Sequence, residues 1–212
     1  MTQSRYDIEQ ANREQHYSEN DPFTVERYKQ FARHLPPAGG ALDVGCNTGR
    51  GGASFGQAAP GWTLDGVELL SERLDKIPAG VYKNTWAGLL EDLPADAGPY
   101  DALLAGEVIE HIPLAAVDGF LAMAMSLLKP GGKLLLTTPN PHYLLLGRRS
   151  GGTVLGGAHV STWCPEALRE YLEWTGFQVE KITGSGQVSR FLGYRFPRYF
   201  YGSYLTVAIR PR

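Results

Sequence analysis

Ala41 to Gly52 reads ALDVGCNTGRGG: an apolar run interrupted by one aspartate, then four glycines between positions 45 and 52. A loop that gives up side chains lets something approach its backbone closely. The run ALDVG (41–45) is short, apolar and stopped by glycine, the pattern of a buried strand. Outward from it, WTLDGVE (62–68), VYKNTW (81–86), YDALLAGE (100–107) and GKLLLTT (132–138) repeat that pattern. Residues 49–58, 69–77 and 114–128 read as helices between them. In the last, Leu114, Val117, Leu121, Met125 and Leu128 fall on one face, and LKPGG (128–132) turns the chain into the next strand. A helix over Pro22 to Leu35 precedes the first strand, and a helix from Pro165 to Thr175 follows the fifth. GFQVEKI (176–182) and SYLTVAI (203–209) complete seven strands. Strands and helices alternating at this spacing predict an α/β fold, a doubly wound and mostly parallel sheet.

At 212 residues with 43% apolar content, the chain is expected to form one domain around one core. A net charge of −2 argues against a whole-protein electrostatic grip on nucleic acid. The opening MTQSRYDIEQ has no apolar stretch, and no run approaches the roughly 20 residues needed to span a bilayer, so no integral membrane segment is expected. Cys46 and Cys164 form neither a disulfide framework nor a CxxC zinc pattern, which suits a reducing cytoplasm.

In a doubly wound sheet, ligands bind beyond the carboxyl ends of the strands, so the loop Gly45-Cys46-Asn47-Thr48-Gly49 is the prime binding position. Neither GxGxxG nor GxxxxGK[ST] is met: Arg50 stands where the third motif glycine would be. Asp43 at the loop base repels a pyrophosphate but attracts an ammonium or sulfonium. Glu68 closes the second strand, where an acid can accept both hydroxyls of a ribose. A ribose and a cationic group without phosphates describe S-adenosylmethionine.

Together LDVGCNTGR, DGVELL, EDLPADAGPYDALLAGEVIEHIP and LLKPGGKLLLTTPN resemble the class I S-adenosylmethionine-dependent methyltransferases, in order and in spacing, over residues 41–140. The resemblance implies their Rossmann-like fold, with a mostly parallel seven-stranded sheet and an antiparallel C-terminal strand. It places Asp43, Gly45, Cys46, Asn47 and Gly49 around the methionine moiety, and Glu68 with Leu69 at the ribose. Asn47 stands where glycine is commoner, tolerable because Asn enters left-handed backbone conformations readily. Adenine is expected against Leu90 and Glu91, and Glu107 at the methionine end of the cofactor.

EVIEHIP sets Glu107, Glu110 and His111 at i, i+3 and i+4, so a helical continuation would gather three metal-ligand types on one face. The string resembles two subfamilies, the small-RNA terminal 2′-O-methyltransferases and the ubiquinone-biosynthesis O-methyltransferases. In the former a later histidine completes a cation site, and AHVSTW supplies His159. Glu107, Glu110, His111 and His159 are therefore the candidate ligands of Mg²⁺ or Mn²⁺. Without a metal, His111 or His159 serves as general base, and Glu110 completes the catalytic set.

The single domain 1–212 then divides into an N-terminal helical segment (1–40), a cofactor-binding core (41–140), a glycine-rich mobile lid (141–165) and a C-terminal helix with strands (166–212). Residues 184–212 hold five arginines among Phe191, Tyr194, Phe196, Tyr199, Phe200, Tyr201 and Tyr204, a patch suited to an anionic or aromatic acceptor. The leading expectation is methyl transfer to a hydroxyl of a small molecule: a catechol, phenol or sugar diol. An RNA-terminal 2′-O-methyltransferase comes next, then an N-methyltransferase of a small molecule, then a non-catalytic S-adenosylmethionine-binding protein. A homodimer is compatible with all of them.

Overall fold

The computed structural model describes residues 9–10, 12–13, 21, 23–143, 159–186, 191 and 200–212. Residues 144–158 of the expected lid and residues 187–190 and 192–199 of the basic, aromatic segment lie outside that set.

The order along the chain is α1 (Thr24–Ala32), β1 (Ala38–Val44), α2 (Arg50–Ala58), β2 (Gly61–Glu68), α3 (Ser71–Leu74), β3 (Thr85–Ala87), β4 (Tyr100–Gly106), α4 (Leu114–Leu127), β5 (Leu128–Pro139), α5 (Pro165–Trp174), β6 (Gln178–Ser185) and β7 (Ser203–Ile209). The seven strands form one sheet in the order β3-β2-β1-β4-β5-β7-β6. The first five pair in parallel, and β7 runs antiparallel between β5 and β6. The order reverses at β1/β4, which opens a crevice beyond the ends of those strands.

Alternation along the central strands sorts the core into two layers. Leu42, Val44, Leu103, Ala105, Leu134 and Leu136 pack against Val117 and Leu121 of α4 and Leu168 and Leu172 of α5. Ala41, Ala102, Leu104 and Leu135 point the other way, onto Tyr28 and Phe31 of α1 and Phe55 of α2. Each fully buried leucine or phenylalanine of this kind contributes about 1.5–3 kcal/mol relative to exposure.

Three expectations are corrected. The helix over 69–77 shrinks to Ser71–Leu74, and the strand over 81–86 to Thr85–Ala87. The backbone ahead of β3 is still bonded to β2, with Lys83 N donating to Leu64 O and Gly66 N to Asn84 O, but short of a regular ladder. On α4 the buried positions are Val117, Leu121, Ala124 and Leu127. Leu114 is exposed, because the helix rotates its first turn out of the core, and Leu128 already belongs to β5.

Candidate active site

A cavity of about 1450 Å³ opens beyond the ends of β1, β2 and β4. That exceeds the roughly 300–1,000 Å³ of an ordinary small-ligand pocket and gives room for two molecules side by side.

The glycine turn forms one wall. Gly45, Asn47 and Gly49 all take positive φ (68°, 51° and 79°), so the asparagine occupies the left-handed region that its side chain tolerates. Gly45 N and Cys46 N both donate to Val67 O, at 2.8 and 3.1 Å, which ties the turn to β2. Glu68 is buried and braced: Oε2 accepts from Asn47 N at 2.9 Å and Oε1 from Leu70 N at 3.1 Å. The Arg73 guanidinium stands 3.5 Å from Glu68 Oε1 and donates to Asn12 O at 2.8 Å. Gly45, Cys46, Asn47, Glu68, Leu69, Leu90, Glu91 and Glu107 all line the cavity. Gly49 does not; it caps the N-terminus of α2. Leu90 and Glu91 sit in a single 3₁₀ turn, Leu90–Asp92.

Asp43 does not reach the cavity, which corrects the expectation of a direct contact with a cationic ligand. Strand parity explains it: Asp43 alternates with Leu42 and Val44 and so faces the α1 and α2 layer. There it is fully buried, and its oxygens accept from Tyr28 Oη at 2.5 Å and Tyr82 Oη at 2.6 Å. Burial pushes its carboxyl up to about 7, against the two phenol hydrogen bonds that pull it down.

The turn after β4 forms the opposite wall. Ile109–His111 is only one 3₁₀ turn, and Glu107 ahead of it takes φ +59°. The helical face expected for Glu107, Glu110 and His111 therefore never forms. Glu107 leaves the metal set: Oε1 lies 3.5 Å from Arg27 Nη2, and Oε2 accepts from Ser203 Oγ at 3.3 Å. Glu110 turns inward, 1% exposed, accepting from Thr138 Oγ1 at 3.1 Å through Oε2 while Oε1 has no hydrogen-bond partner among the described residues. Burial, and then the charge of Glu107, raise its carboxyl well above the ordinary range.

His159 arrives from the far side of the fold. Val160 N and Ser161 N donate to Glu110 O at 2.9 and 3.1 Å, and Ser161 Oγ donates to Ile109 O at 3.1 Å. These bonds set the His159 ring edge-on to His111, with centroids 4.8 Å apart. One ligand atom each of Glu110, His111 and His159 lies within 4.8 Å of the others. Two imidazoles and a buried carboxylate with an unused oxygen fit a divalent cation.

The sequence reading missed Arg27, because its charge says nothing of where α1 docks. It is buried on the cavity wall, paired with Asp21 at 3.0 Å and with Glu107 at 3.5 Å, and its Nε has no hydrogen-bond partner among the described residues. A buried cation beside the partly exposed Glu107 carboxylate suits a zwitterion, such as the amino-acid end of a ligand.

Residues 14–182 match the model of a family described as a methyltransferase domain. A ubiquinone biosynthesis O-methyltransferase from Xanthomonas axonopodis pv. citri is 31% identical over 179 residues, covering 74% of this chain and 71% of that protein. The mitochondrial ubiquinone biosynthesis O-methyltransferase of Mus musculus is 30% identical over the same length, which is 47% of that longer protein. Among solved structures, a small RNA methyltransferase superposes with a TM-score of 0.71 at 18% identity, covering 91% of this chain and 26% of that one. At that identity the likeness speaks of fold alone.

Proposed function

The chain belongs to the class I S-adenosylmethionine-dependent methyltransferases, and from that premise we propose that it methylates a hydroxyl of a small aromatic or vicinal-diol acceptor. The observation that carries the reading is the Glu110, His111 and His159 cluster, whose two histidines line a cavity large enough for cofactor and acceptor together while Glu110 stands buried behind them. The names of the relatives, O-methyltransferases of ubiquinone biosynthesis, support oxygen as the atom methylated and a catechol-like ring as its carrier.

Each residue has a task in this reading. Glu68 accepts the ribose hydroxyls, while Leu69, Leu90 and Glu91 border the adenine. Arg27 takes the carboxylate of the methionine end, and Glu107 its ammonium. The acceptor hydroxyl approaches His111 and His159, one of which removes its proton, since a hydroxyl is a poor nucleophile until deprotonated. Mg²⁺ or Mn²⁺ held by Glu110, His111 and His159 would take the place of that base, the histidines then serving as ligands, and would lower the pKa of the hydroxyl instead. Phe23, Ile112, Phe120 and Phe200 on the same wall shield an aromatic acceptor from water.

The test is turnover of a catechol panel by wild type, His111→Ala and His159→Ala. Each variant is expected to lose about 10²–10⁴ in turnover while binding S-adenosylhomocysteine as wild type does. Loss of cofactor binding in both variants would refute the assignment of these histidines to the reaction. An RNA acceptor would instead reveal itself by binding that falls log-linearly with salt.

A further inference from the structure

Building on the cofactor reading above, we propose that Tyr28 and Tyr82 are positioning residues. Through Asp43 they fix the rotation of α1, and so aim Arg27 at the carboxylate of the cofactor's amino-acid end. Asp43 meets no ligand itself, since it is fully buried and absent from the cavity wall. Its two oxygens are divided between two phenols from distant parts of the chain, Tyr28 Oη on Oδ1 and Tyr82 Oη on Oδ2. That ties β1, α1 and the segment before β3 at one point. Burial also keeps both phenols protonated, and hence donors, by raising them well above their ordinary range.

The glycines that open α2 leave the room this tie needs. A Cβ at Gly51 would stand 2.4 Å from the Tyr28 ring, and one at Gly52 2.3 Å from Tyr82 Oη. Across the crevice, a Cβ at Gly106 would meet Arg27 Cδ at 3.1 Å and Tyr28 Cε2 at 3.3 Å. The Tyr28 ring is therefore held between the start of α2 and the end of β4, with Arg27 one residue earlier on the same helix. Consecutive helical residues keep a fixed angular offset, so pinning Tyr28 sets the direction of Arg27. Arg27 otherwise has Asp21 at 3.0 Å and a looser contact with Glu107 at 3.5 Å.

Two ligands separate this role from a general structural one. S-adenosylhomocysteine carries the amino-acid end; 5′-methylthioadenosine has the same adenine and ribose without it. Calorimetry on the full chain should show Tyr28→Phe weakening S-adenosylhomocysteine about tenfold, the scale of one hydrogen bond to a charged group, while 5′-methylthioadenosine stays within about twofold. In an Arg27→Ala background, Tyr28→Phe should cost S-adenosylhomocysteine nothing further. Thermal melts check folding, and should Tyr28→Phe fail to fold, Tyr82→Phe tests the same tie from the other oxygen. Equal losses for both ligands, or a Tyr28→Phe loss undiminished without Arg27, would overturn the proposal. So would a Tyr28→Phe protein that binds S-adenosylhomocysteine as wild type does. A wild type that binds neither nucleoside would instead overturn the cofactor reading, and this proposal with it.

Discussion

The end of β1 and the turn after β4 each bury a carboxylate, and they treat it in opposite ways. Asp43 has a phenol on each oxygen and lies behind the cavity wall. Glu110 has one hydroxyl on Oε2, an Oε1 unpartnered among the described residues, and two imidazoles within reach. A buried carboxylate with every oxygen satisfied holds structure together, whereas one left half-satisfied is poised for a ligand. Both are pushed up by burial, so the shift alone does not separate them; their partners do.

The contrast can be broken most sharply at Glu110. Glu110→Ala is expected to lower turnover by about 10²-fold or more and abolish Mn²⁺ uptake in equilibrium dialysis, with S-adenosylhomocysteine bound as before. Asp43→Asn should do the reverse, weakening S-adenosylhomocysteine and sparing the metal. Equal Mn²⁺ uptake by wild type and Glu110→Ala would remove the cation from the site.

The next effect is on stability against pH. Asp43 rises from 3.8 to about 7 in the fold. Its protonated form therefore favours folding: the contribution is complete below about pH 4 and is lost as pH rises through about 7. A shift of that size corresponds to on the order of 4 kcal/mol. Denaturant unfolding should show wild type losing stability over this interval and Asp43→Asn losing less. Equal slopes for the two proteins would mean that Asp43 stays charged throughout.

The smallest effects lie within α2 itself. Gly52→Ala drives a Cβ against the tied Tyr82 hydroxyl and should destabilise by about 1–3 kcal/mol. Four residues on, a Cβ at Gly56 meets nothing within 4 Å, and Gly56→Ala should stabilise by about 0.5–1 kcal/mol in the same unfolding measurement. Matching signs would show that the α2 glycines are not reserved for the tyrosines.

Apart from β3, the strands were legible because each holds a short apolar run stopped by glycine, proline or aspartate; β7 lies where SYLTVAI predicts it. The glycine turn and Glu68 were legible because their positions at strand ends follow from the period alone. Asp43 misled because its partners are 15 and 39 residues away, and nothing local says that two phenols will reach it first. Glu107 misled for a backbone reason: the i, i+3, i+4 pattern presumes an α-helix, and a positive φ ahead of one 3₁₀ turn sends that side chain toward Arg27 instead. Arg27 itself was unreadable, since a basic residue on an amphipathic helix is ordinarily a solvated one.

The position of β7 carries one more consequence, for the chain as it leaves the ribosome. The final described strand fills the slot between β5 and β6, and Tyr204 on it donates to Trp163 O two residues beyond Ser161. Strands β1 to β5 can pair as they emerge, but β6 has no neighbour until β7 arrives. The wall built on β1 and β2 can thus assemble during synthesis, while the segment that seats His159 waits for β7.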